Sequence, residues 1–91
     1  MPEVNVAVSG RLAQLLSEIT GASLAGLGPE STPETTPEWD SLAMLSFVVA
    51  VEEEFDVVIS TPEALRVHSL GDMARLLGEK GVTTAPTGAG R

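Results

Sequence analysis

Trp39-Asp40-Ser41-Leu42-Ala43-Met44-Leu45-Ser46-Phe47-Val48-Val49-Ala50-Val51-Glu52-Glu53-Glu54-Phe55 is the stretch whose reading decides the fold. It contains no Gly or Pro, and it follows a segment dense in both. A strand of this length would be atypical. The run therefore reads as a helix from about Ser41 to Glu54 or Phe55, despite the β-branched Val48, Val49 and Val51. Asp40 or Ser41 can cap it by accepting hydrogen bonds from the free N–H groups of the first turn. Leu42, Leu45, Val48, Val49 and Phe55 describe its expected buried face, which leaves Met44 and Phe47 toward the flanks.

Upstream, Val4, Val8, Leu12, Leu15, Leu16 and Ile19 recur every three or four residues, the stripe of an amphipathic helix. Gly10 weakens its early turns, and Gly21 stands where a helix commonly ends in a left-handed residue. Residues 22–38 form a long connection in which Gly26, Gly28, Pro29, Pro33 and Pro37 exclude a regular helix. Leu24 and Leu27 are expected to pin it to the core, with 31–36 mobile. A loop this long in a small domain is commonly functional or disordered.

Downstream, Val57, Val58 and Ile59 read as a short apolar clip. Ser60 or Thr61 before Pro62 and Glu63 reads as the start of a short helix to about Leu65, with proline in the first turn. Ser69-Leu70-Gly71-Asp72 resembles a capping box with Asp in place of Glu. It opens a last helix carried by Leu70, Met73, Ala74, Leu76 and Leu77, which Gly78 or Gly81 can terminate. The expected fold is all-α: a four-helix bundle of three longer helices and one short one, with a long loop between the first and second. The domain spans 1–81, and 82–91 reads as a disordered tail.

Composition narrows the function. Ninety-one residues make one domain, and the absence of cysteine removes disulfides and thiolate metal sites. A single histidine, His68, leaves no histidine pair for zinc, so no metal site is expected. The net charge is −8, and no Lys or Arg lies between Arg11 and Arg66, an interval holding ten acids. Such a field repels nucleic acid and anionic membrane and draws basic protein surfaces. Residues 1–10 lack the basic and apolar regions of a signal peptide, and no apolar run is long enough to span a bilayer. A monomer in the cytoplasm, without a membrane partner, is the expectation.

Ser41 is the residue whose chemistry stands out. A helix N-terminus offers unpaired N–H groups and the positive end of a dipole, which suit a phosphodiester on its first residue. A lone serine in this position is ordinarily a cap. Catalysis by Ser41 is not expected, because no Gly-x-Ser-x-Gly elbow is present and His68 is the single histidine available as a base.

Asp40-Ser41-Leu42 resembles the Asp-Ser-Leu modification motif of acyl carrier proteins, and Val48 to Asp56 is similar to the second half of that family's second helix. Ile59, Ala64, Val67 and Leu70 then fall, without a gap, where the family keeps apolar contacts. The resemblance is strong from Trp39 to Leu77; before Trp39 it rests on one helix and a long loop. It implies a 4'-phosphopantetheine arm on Ser41, installed from coenzyme A by a phosphopantetheinyl transferase and holding an acyl group as a thioester. It also implies that the protein catalyses nothing itself, that Asp40 orients the loop and assists the transferase, and that Leu42 gives the transferase an apolar contact.

Bacterial fatty-acid carriers usually place acids on the partner-facing side of the first turns of this helix; the matching positions here are Ala43 and Ser46. Met44 and Phe47 either pack at the core's edge or form an apolar docking pair, and Glu52 and Glu53 either contact basic acyl-loading and acyl-transferring enzymes or belong to a solvated helix end. Trp39 is either a loop anchor or part of that surface. Its Trp-Asp-Ser-Leu form resembles discrete carriers of polyketide and related secondary-metabolite pathways. The rival readings are a peptidyl or aminoacyl carrier, a fatty-acid synthesis carrier, and an unmodified helical interaction module. The small Ala43, Ala50 and Ala64 leave room for a cavity.

Overall fold

A computed structural model describes residues 6–82, and the described residues form four α-helices: α1 (Val6–Thr20), α2 (Ser41–Phe55), α3 (Thr61–Leu65) and α4 (Leu70–Glu79). Helix α1 packs against both α2 and α4. Its stripe is as the spacing predicts, with Val8, Leu12, Leu15 and Leu16 buried and Ile19 half-buried. Val4 lies outside the described residues. Gly21 adopts φ of 80° and returns its N–H to the Ser17 carbonyl at 2.8 Å, ending the helix in the left-handed region that costs glycine little.

Helix α2 turns inward a face that matches only part of the one its spacing suggested, Phe55 being buried and Val48 half-buried as expected. Phe47, Val51 and Phe55 are buried, and Met44 and Val48 pack partly beside them. Leu42, Leu45 and Val49, expected inside, are 73%, 66% and 51% exposed. Positions 47, 51 and 55 recur at i, i+4 and i+8, so this stripe obeys helical periodicity as well as the rejected one. Phe55 belongs to both stripes, so the difference lies at Phe47, whose ring offers more area to bury than a leucine or a valine. Phe47 stacks edge to face on Trp39, with ring centroids 5.7 Å apart and planes 84° apart.

The long loop is tied down more firmly than its composition suggests. It includes a single 3-10 turn at Leu24–Gly26, and Leu24 is exposed rather than pinned, while Leu27 packs on the core. The segment expected to be mobile holds Ser31 and Thr36 buried. The Ser31 hydroxyl accepts from the Gly28 N–H, and the carbonyls of Pro29 and Ser31 accept from the N–H groups of Gly71 and Leu70 at 2.8 and 3.1 Å. These loop carbonyls thereby satisfy two of the free donors that open α4. Gly71 is required for that approach, since a Cβ there would lie 2.9 Å from the Pro29 carbonyl oxygen.

The start of α3 carries the expected box: the Glu63 N–H donates to the Ser60 hydroxyl, and the Ser60 N–H donates to the Glu63 carboxylate. At α4, Ser69 accepts from the Asp72 N–H, while the Asp72 carboxylate takes the His68 N–H, one residue earlier than a standard box. Val82, assigned to the tail from sequence, packs partly on the core and donates its N–H to the Leu77 carbonyl at 2.9 Å. The rest of the expected tail, 83–91, lies outside the described residues.

Candidate functional site

Ser41 is the first residue of α2, and its position depends on Asp40. Asp40 has extended backbone geometry, and its Oδ1 accepts the Ala43 N–H at 2.8 Å, so Asp40 and not Ser41 is the cap. The Asp40 carbonyl takes the Met44 N–H at 2.8 Å, the first bond of the helical ladder. Ser41 is thus released from capping and stands exposed with its hydroxyl free of any described partner. No described carbonyl or side chain takes the N–H of Ser41 or Leu42. Two donors and the positive end of a fifteen-residue helix therefore surround that hydroxyl. Leu42, beside it, projects into solvent.

A groove of about 570 Å³ opens at Ser41. Its walls come from three parts of the chain: Pro33, Trp39 and Asp40 from the loop, Ser41, Met44 and Leu45 from α2, and Ala64, Leu65 and Val67 from α3 and the turn after it. Most of these are apolar. Leu65 is among the most exposed leucines, at 72%. Sequence reading missed Pro33, Leu65 and Val67 as neighbours of Ser41, because nothing local places α3 beside the start of α2.

Trp39 is a wall of this groove and also part of the core, at 1% exposed. Its burial rules out the reading of Trp39 as docking surface and supports the loop-anchor alternative. Its indole Nε1 is buried with no hydrogen-bond partner among the described residues. A buried donor left unpaired costs about 1–3 kcal/mol.

The other expected partner-contact residues are redistributed. Phe47 is fully buried, so the Met44–Phe47 pair is not an exposed patch; Met44, half-buried, lines the groove instead. The exposed apolar residues of α2 are Leu42, Leu45 and Val49, one stripe on its outer side. A second, shallow depression of about 390 Å³ lies there, walled by Ile19, Leu45, Ser46, Val49, Ala50 and Glu53.

The acidic triplet divides three ways. Glu52 is half-buried and accepts the Ile59 N–H at 2.8 Å, fastening the connection to α3 rather than facing a partner. Glu54 accepts from Arg11 Nε at 2.7 Å, an ion pair that raises the Arg11 pKa above its ordinary value. Glu53 remains exposed at the rim of the depression.

Two further basic side chains are paired, Lys80 with Glu63 at 2.9 Å and Arg75 with Asp72, while Arg66 is exposed. The Glu63 carboxyl is held down at about 2 by the Ser60 N–H and then by Lys80. His68 is exposed in the turn before α4. No group of three or more metal-ligating side chains exists among the described residues, and none of the described helices is long and apolar enough to cross a membrane.

Comparison with known proteins agrees with this geometry. A family model described as a phosphopantetheine attachment site matches residues 10–77. An acyl carrier protein of Acidothermus cellulolyticus is 34% identical over 61 residues, which cover 67% of this chain and 73% of that relative.

Proposed function

The chain belongs to the acyl carrier protein family, whose members carry covalent 4'-phosphopantetheine, and from that premise we propose that Ser41 is the attachment point and that the outer face of α2 is what partner enzymes read. The observation that carries the assignment is the exposed Ser41 hydroxyl at the first turn of α2, uncapped because Asp40 takes the capping role. The site fits the group. The free N–H groups of Ser41 and Leu42 suit a phosphodiester on the Ser41 oxygen, and the neighbouring groove has room beside it. When bound, the arm supplies a terminal thiol on which an acyl group is held as a thioester.

This chain's own residues do the positioning. Asp40 fixes the turn that presents Ser41, and Leu42 offers an apolar contact to the phosphopantetheinyl transferase. Leu45 and Val49 continue that apolar stripe toward Glu53. The fitting partner surface has an apolar knob for the shallow depression and a basic residue for Glu53. Charge complementarity supports that choice, since ten acids and no base lie between Arg11 and Arg66. No catalytic role falls to the chain itself; it supplies a tethered reactant at high effective concentration. An apolar stripe with Ser46, where fatty-acid carriers usually present acids, favours service in polyketide or related secondary metabolism.

Co-expression with a broad-specificity transferase tests the attachment. The intact mass is expected to rise by one phosphopantetheinyl group, and Ser41→Ala to abolish the rise. A wild-type chain that gains no mass with any transferase would be an unmodified interaction module instead. The mass of the arm's cargo from the native host separates an acyl from an aminoacyl carrier.

A further inference from the structure

Helix α3 is the one described helix that buries none of its residues, and it ends on an exposed pair, Leu65 and Arg66. Arg11, Arg75 and Lys80 each pair with an acid, whereas the Arg66 side chain makes no hydrogen bond or ion pair among the described residues. It shares a small depression with Glu63, Asp72 and Glu79, of which Glu63 is taken by Lys80 and Asp72 by Arg75. The charge of the chain changes sign here. No base lies between Arg11 and Arg66, while residues 66–82 hold three bases, Arg66, Arg75 and Lys80, against two acids, Asp72 and Glu79.

Leu65 is a wall of the groove at Ser41, and Leu45 belongs both to that groove and to the depression rimmed by Glu53. The two hollows thus share a wall. An apolar path runs past Ser41 from Val49 through Leu45 to Leu65, with exposed Glu53 at one end and exposed Arg66 at the other. We infer that the enzyme docked over Ser41 spans this whole path and sets an acidic residue against Arg66 as well as a basic one against Glu53. The inference rests on the carrier reading of Ser41 and adds, to the outer face of α2, a second contact of opposite sign. Apolar contact alone would not fix the direction of the chain along the path. Two unlike charges do, because a chain turned end for end would set each against its like.

The probe is the enzyme of the native host that acylates the arm, fractionated by that activity. The arm is installed on each full-length variant beforehand with a broad-specificity transferase and verified by intact mass. Arg66→Glu is expected to raise the KM for the carrier about tenfold with kcat unchanged, and Arg66→Lys to stay within about twofold of the wild type. The rise should fade as salt is raised. Urea midpoints should match the wild type, since the Arg66 side chain holds nothing in the fold. Adding Glu53→Lys to Arg66→Glu should raise KM beyond either change alone. An unchanged or lowered KM for Arg66→Glu would overturn the inference, a lowered one being what a uniformly basic partner surface gives. So would an equal loss in Arg66→Lys, or a loss confined to kcat. These outcomes leave the carrier reading intact, because the arm is already in place and accepts its cargo. A wild-type chain that gains no arm, or whose arm no host fraction acylates, takes down both readings, and the intact mass identifies that case by itself.

Discussion

Helices α2 and α4 begin with the same local chemistry and end up in opposite circumstances. Each opens with a short polar side chain that accepts the N–H three residues on: Asp40 from Ala43, and Ser69 from Asp72. At α4 the two remaining donors, Leu70 and Gly71, are taken by carbonyls of the long loop, and that end is closed. At α2 the corresponding donors, those of Ser41 and Leu42, face no described acceptor, and a groove opens beside them. The loop that could have covered one helix start covers the other. The start of α2 is available for modification because tertiary structure leaves it open, since capping alone would make the starts at Asp40 and Ser69 look alike.

The two helices also differ in how plainly they declare their inner face. Helix α4 alternates its apolar residues with Asp72, Arg75 and Glu79, and Leu70, Met73, Ala74, Leu76 and Leu77 are buried as expected. Helix α2 is apolar nearly all round until Glu52, so two stripes compete. The aromatic stripe takes the core, and the leucine-valine stripe is left to solvent.

The sharpest way to break this contrast is a pair of substitutions on opposite faces of α2. Phe47→Ala is expected to cost about 3–5 kcal/mol in urea unfolding, because it empties a fully buried ring site. Val49→Gln should stay within about 0.5 kcal/mol, and should still weaken association with the cognate loading enzyme about tenfold. Equal stability losses would mean that both faces are structural.

Gly71→Ala probes the closed start of α4. The new Cβ meets the Pro29 carbonyl, and overpacking of that kind costs about 1–3 kcal/mol, against about 1 kcal/mol returned by better helix propensity. A net loss of about 1 kcal/mol is expected, together with faster hydrogen exchange at Leu70. A stabilised variant would show that the loop clasp is dispensable.

The smallest effect belongs to α3, whose start is closed by its own side chains. The Glu63 pKa is lowered to about 2, first by the Ser60 N–H and then by Lys80. A depressed carboxyl stabilises the fold above its ordinary value, about 4.3, and that contribution fades as pH falls toward 2. The thermal midpoint of the wild type should therefore drop more steeply between pH 4 and pH 2 than that of Glu63→Gln. A Glu63 carboxyl that titrates at its ordinary value by NMR would remove the box from the account.

Much of the local architecture is legible in the sequence. Gly21 and Ser60 with Glu63 do what their spacing predicts, and Ser69 caps α4 as expected, although the Asp72 carboxylate takes the His68 N–H and does not close the box. Asp40-Ser41 is legible as a helix start, although its spacing leaves the choice of cap open and the fold gives that role to Asp40. The acidic triplet is legible only as a cluster. That Glu52 holds Ile59, Glu54 holds Arg11 and Glu53 stays outside depends on neighbours seven and forty-three residues away. Trp39 and Phe47, candidates for the surface, lie inside because each finds in the other a ring to pack on.

By itself, then, the sequence determined where the helices start and stop and which serine heads α2, because capping, glycine termination and proline placement act within about four residues. Tertiary structure alone decided which side of α2 is buried, that the long loop clasps α4, and that α3 forms a wall of the groove beside Ser41. Those outcomes turn on apolar area and backbone hydrogen bonds shared between residues distant in the chain, which no local spacing encodes.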